Sequence, residues 1–102
     1  MVILEFSMYP LGKGESVGAY VARSVDIIDR SGLPYQLTAM GTILEGQWDE
    51  VMAVVNECYR AMRVDCERIV ASVKIDYRVN TSGRLKGKVR SVESKVGRKV
   101  QC

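Results

Sequence analysis

The chain has 102 residues, 47% of them hydrophobic, with a net charge of +3 and no histidine. That length serves one domain with a modest core, and no run of about 18 apolar residues exists for a membrane span. With no histidine, and with Cys58, Cys66 and Cys102 in no CxxC spacing, neither a His/Cys metal site nor a Cys–His catalytic pair is expected.

Val2 to Tyr9 alternates, with Val2, Leu4, Phe6 and Met8 on one side and Ile3, Glu5, Ser7 and Tyr9 on the other. Period two predicts a strand with one strongly apolar face. This apolar start lacks a basic n-region and is too short for a signal peptide, so the cytoplasm is the expected compartment. Pro10 to Gly14 reads as a loop. Glu15 and Ser16 are expected to open a helix, with Val17, Tyr20, Val21, Ser24, Val25 and Ile28 on its apolar stripe. Ser31 and Gly32 end it, and Pro34 bars its continuation.

Tyr35 to Ala39 and Thr42 to Glu45 read as two short strands meeting at Met40-Gly41. Gly46 ends the second. Gln47 to Arg63 is predicted as a helix carrying Trp48, Val51, Met52, Val55, Cys58, Tyr59 and Met62 on one stripe, so Trp48 and Cys58 are expected in the core. Asp49 and Glu50 at its start, and Arg60 and Arg63 at its end, match the helix dipole. Arg68 to Arg78 alternates again: Ile69, Ala71, Val73, Ile75 and Tyr77 face one way, and Val70, Ser72, Lys74, Asp76 and Arg78 the other.

After the break at Asn80 to Gly83, Leu85, Val89, Val92, Val96 and Val100 mark a narrow apolar stripe on a third helix. Residues 84–102 hold seven Lys/Arg against Glu93 alone, while the preceding residues hold eight Lys/Arg against eleven Asp/Glu. The basic character therefore belongs to the tail. A helix this short is marginal alone and should dock on the domain or on a neighbouring subunit. Cys102 is terminal and expected to be exposed.

This order predicts an α+β fold over residues 1–102: a βαββαβ split, ferredoxin-like sandwich with an antiparallel sheet of order 4-1-3-2, plus a basic C-terminal helix within 84–102. Both helices of the βαββαβ unit cover one face. The other face would carry Glu5, Ser7, Tyr9, Gln36, Thr38, Ser72, Lys74, Asp76 and Arg78. Alternation does not decide whether Thr42 or Glu45 joins them. Glu5 and Lys74 lie where a cross-strand ion pair could form, and Asp76 could meet a basic neighbour. Such a face is either an ordinary solvated surface or, closed by a second face or by the tail helix, a polar pocket for a flat hydrogen-bonding ligand. Glu45 is equally suited to capping the second helix and to contacting a ligand. The LGKGES segment offers glycines before a helix but lacks the GK[ST] spacing of a P-loop.

SMYPLG, SGLPYQL, MGTILEGQWDEV and VKIDYR together resemble the small thiamine-binding protein family, with the MGT-x-x-EG core as the most specific part. The likeness runs from Ile3 to about Val92. It implies cytoplasmic homo-oligomers, dimers or tetramers built by sheet-to-sheet contact. It also implies binding of thiamine or a hydroxymethylpyrimidine-type precursor without turnover. No further cofactor and neither a nucleic-acid nor a membrane partner is expected. Carried onto this chain, the resemblance suggests Ser7 and Thr42 as partners of pyrimidine nitrogens. Glu45 would meet the exocyclic amine or the thiazolium charge, and Tyr35 would stack on a ring. Lys74 and Arg78 would meet a phosphorylated form. The alternatives are a regulatory or oligomerisation module holding another metabolite and an RNA-binding domain of the same topology. The RNA reading lacks the aromatic pattern such domains use.

Overall fold

The computed structural model describes residues 1–14 and 17–101. The expected helix opening at Glu15 and Ser16, and the position of Cys102, lie outside the described residues. The elements run β1 (Val2–Leu11), α1 (Gly18–Arg30), β2 (Tyr35–Thr38), β3 (Gly41–Gly46), α2 (Trp48–Arg63), β4 (Arg68–Tyr77) and α3 (Arg84–Val96). The four strands form one antiparallel sheet of order β2-β3-β1-β4, as the alternation and element order predict. This is the ferredoxin-like α+β sandwich.

Helices α1 and α2 bury one face of the sheet. Val2, Leu4, Phe6 and Met8 of β1 and Leu44 of β3 meet Ile27 and Ile28 of α1 and Val51, Val54, Cys58 and Met62 of α2. Leu4, Leu44, Ile28, Val51, Cys58 and Met62 are completely or almost completely enclosed. Cys58 ties the two helices together, its thiol donating to the Ser24 carbonyl oxygen at 3.7 Å. Arg23 of α1 forks onto Asp65, just beyond α2, at 2.9 and 3.1 Å, and also donates to the Ala61 carbonyl.

Trp48 does not lie in the core; its side chain is half exposed. It is the first residue of α2, and the stripe that meets the sheet is centred on Val51, Val54, Cys58 and Met62 instead. Val54, absent from the predicted stripe, is buried while Tyr59 is exposed. The rotation follows from the N-terminal anchor. Gln47 donates its backbone N–H to the Glu50 carboxylate at 2.8 Å, satisfying an orphan donor at the helix start. Gly46 packs so closely that an added Cβ would sit 3.3 Å from both Leu33 and Val51.

Helix α3 lies against β3, on the sheet face that α1 and α2 leave open. Its stripe is only partly covered: Leu85 and Val89 are half-buried, whereas Val92 and Val96 are exposed.

Candidate functional site

The register of β3 against β1 decides which side chains share a face. Phe6 pairs with Thr42, Leu4 with Leu44 and Ile3 with Glu45. Thr42 therefore points under the helices with Phe6, and Glu45 points to the open face. Thr42 is 6% exposed and Glu45 3% exposed, so both are deeply enclosed on opposite sides of one strand.

Glu45 does not cap α2. Its carboxylate accepts the backbone N–H of Arg84 at 2.8 Å, the first residue of α3. An anion is thus set at the positive end of the tail helix. Arg84 in turn donates to the Asp76 carboxylate and, at 3.2 Å, to the Asp76 carbonyl, so the expected basic neighbour of Asp76 is this arginine. Glu5 and Lys74 are register partners on the open face, but both side chains are exposed and no ion pair joins them among the described residues.

Thr42 belongs to a cavity of about 450 Å³ on the helix side of the sheet. Its origin is a mismatch of strand lengths. Strand β1 continues to Leu11, but its ladder with β3 stops at the Phe6–Thr42 pair. Beyond that pair the sheet has a notch between Ser7, Met8 and Tyr9 of β1 and the hairpin tip at Thr38 to Gly41. Helix α1 roofs it with Val21, Ser24, Val25 and Ile28. The hairpin tip is held by Thr38, whose hydroxyl donates to the Gly41 carbonyl at 2.8 Å and accepts the N–H groups of Met40 and Gly41. Gly41 is needed because a Cβ there would lie 2.9 Å from the Phe6 carbonyl oxygen.

Of the hydroxyl-bearing side chains along this mostly apolar wall (Ser7, Tyr9, Thr38, Thr42 and Ser24), Thr42 from the floor and Ser24 from the roof are the buried ones. Ser24 is 7% exposed. The Ser24 side chain also meets the Cys58 thiol, and among the described residues no fully buried side-chain oxygen is left without a partner. Both hydroxyls border the cavity, where each can donate to and accept from an occupant. The mouth is apolar as well: Leu37 and Met40 stand exposed at it, Met40 at 87%.

The six residues suggested by the resemblance do not converge. Thr42 lines the cavity, and Ser7 lies at its rim on the strand edge. Tyr35 donates its hydroxyl to Asp29 of α1 at 2.9 Å, and that carboxylate holds the phenol above its ordinary range. Glu45 and Lys74 are on the other face, and Arg78 lies past the end of β4, its N–H donating to the Met1 carbonyl. The open face has a hollow of its own, about 380 Å³ between β2 and α3, lined by Tyr35, Gln36, Leu85, Lys86, Val89, Arg90 and Glu93. Of the six residues, Tyr35 alone reaches it. Gly12 and Lys13 of the LGKGES segment border a separate cleft with Arg63, Asp65, Cys66 and Arg68. Among the described residues no group of three or more His, Cys, Asp or Glu side chains could hold a metal ion.

Ser24 is the residue that sequence reading placed in the core without a role. A hydroxyl on a stripe otherwise made of Val21, Val25 and Ile28 is the signal that marks it.

Comparison with known proteins places these features in a family. Residues 4–93 match the family model described as thiamine-binding protein. The chain is 41% identical over 93 residues to a UPF0045 protein of Mycobacterium bovis, covering 90% of this chain and 91% of that one. A UPF0045 protein of Methanocaldococcus jannaschii is 35% identical over 91 residues, covering 89% and 91%, and its crystal structure superposes with a TM-score of 0.82 over 89% of this chain and 94% of that one. A Thermotoga maritima protein, for which a role in thiamine biosynthesis or salvage has been suggested, shares the fold: TM-score 0.79, 23% identity, covering 89% and 97%.

Proposed function

The chain belongs to the thiamine-binding protein family, and from that premise we propose that it is a non-catalytic binding protein for thiamine or a hydroxymethylpyrimidine-type precursor, held in the cavity between α1 and the β2–β3 hairpin. The observation that carries this reading is the pair of buried hydroxyl residues, Ser24 and Thr42, lining opposite walls of a mostly apolar pocket. A hydroxyl both donates and accepts, so one can serve a pyrimidine ring nitrogen and the other the exocyclic amine. Aliphatic walls from Val21, Val25 and Ile28 suit the faces of a flat ring. Ser7 at the rim is a candidate third contact. In this reading Glu45, Lys74 and Arg78 serve the open face and the tail rather than the ligand.

No nucleophile–base pair lines the cavity among the described residues. No helix among the described residues is long and apolar enough to cross a membrane. A cytoplasmic homo-oligomer is the setting we propose, with the half-covered stripe of α3 and the open sheet face as the surfaces through which copies meet.

Calorimetric titration with thiamine and with hydroxymethylpyrimidine tests the reading. Saturable heat is expected with at least one of them. Thr42→Val and Ser24→Ala should each weaken that binding by roughly 3- to 10-fold, the worth of one hydrogen bond. Folded protein that gives no heat at millimolar ligand, or hydroxyl variants that bind as wild type does, would refute it.

A further inference from the structure

Resting on that reading, we propose that the cavity selects its ligand by charge: it takes the uncharged aminopyrimidine alcohol and rejects the phosphate ester of the same molecule. The argument comes from where the chain keeps its charges. Among the described residues, every side chain lining the cavity is uncharged. The cations are elsewhere or already engaged. Lys74 is exposed on the far face of the sheet. Arg23, on the roof helix, is committed to Asp65 and to the Ala61 carbonyl. Arg30 pairs with Asp26 on the outer side of α1. The tail cations Lys86 and Arg90 line the hollow on the opposite face.

A phosphate taken into a mostly apolar site without a cation gives up hydration and gains no ion pair in return. Two hydroxyls cannot neutralise a dianion. Among the described residues that line the cavity, the first turn of α1 beside Val17 offers positive potential but no cationic side chain. A neutral heteroaromatic alcohol has no such cost and matches both the wall and the hydroxyl pair. By the same logic thiamine enters pyrimidine first, with its cationic ring left at the mouth.

Parallel titrations with hydroxymethylpyrimidine and with its monophosphate test this on the full chain. The phosphate should bind on the order of 100-fold more weakly. Leu37→Lys, at the half-exposed rim of the cavity, should raise affinity for the phosphate relative to the alcohol. Binding of neither compound sinks the parent reading and this inference together. Equal or tighter binding of the phosphate overturns charge selection alone. If Lys86→Ala and Arg90→Ala then abolish that binding, the phosphate is held in the hollow beneath α3 instead.

Discussion

Position 58 illustrates how burial sets the chemistry of a single residue. The Cys58 thiol is pushed up to about 11, chiefly by burial, with a hydrogen bond from the Ser24 side chain pulling the other way. A thiol needs its thiolate to react, so at pH 8 Cys58 should stay unlabelled by iodoacetamide in the folded protein and react promptly once guanidinium is added. Mass spectrometry of the labelled peptide reads this directly; modification at the same rate in both states would mean the side chain is open to solvent. Cys66 is raised as well, again mainly by burial. These cysteines are packing residues, in keeping with the helical stripe that predicted Cys58 to be one.

Two contacts between elements carry their own expectations. Glu45 is the tether of α3, and its loss should loosen the tail helix rather than the sandwich. In Glu45→Ala, amide exchange across residues 84–90 should accelerate by a factor of about 5, the worth of roughly 1 kcal/mol of capping, while exchange in the β1 core is unchanged. Uniform acceleration through the core would show that Glu45 supports the whole fold instead.

The second contact is the Arg23–Asp65 fork between α1 and the end of α2. The guanidinium's hydrogen bonds hold the Asp65 carboxyl down to about 2, below the usual value of about 3.9. The unfolded chain therefore takes up the proton first. The contribution of the pair is complete above about pH 4 and disappears as pH falls to about 2. Urea unfolding of wild type and Asp65→Asn should differ near neutrality and converge over that interval. The pair is about half exposed, so the gap should also shrink in high salt. A gap that holds steady down to pH 2 would assign the effect to something other than this ion pair.

At the scale of the whole molecule, strand alternation and helical spacing predicted the element order, the face covered by α1 and α2, and the sheet order. Those properties are local and repeat many times along the chain, so errors at single positions cancel. Trp48 is such an error: spacing alone placed it on the buried stripe, and the capped start of α2 turned it outward. The site was less legible. Whether Thr42 or Glu45 faces the helices depends on how β3 registers against β1, a pairing of residues about 40 positions apart that neither strand encodes alone. A slip of one residue would exchange the two. Nor does any local pattern announce that β1 outruns β3, and that notch is what makes the cavity. The amino-acid order thus dictated the architecture through short-range periodicity, and the kinship through short motifs such as MGT-x-x-EG. Which polar groups meet, with Ser24 facing Thr42 across a pocket and Glu45 reaching Arg84 on the far side, arose only from long-range register, because close packing places side chains that lie far apart in the chain.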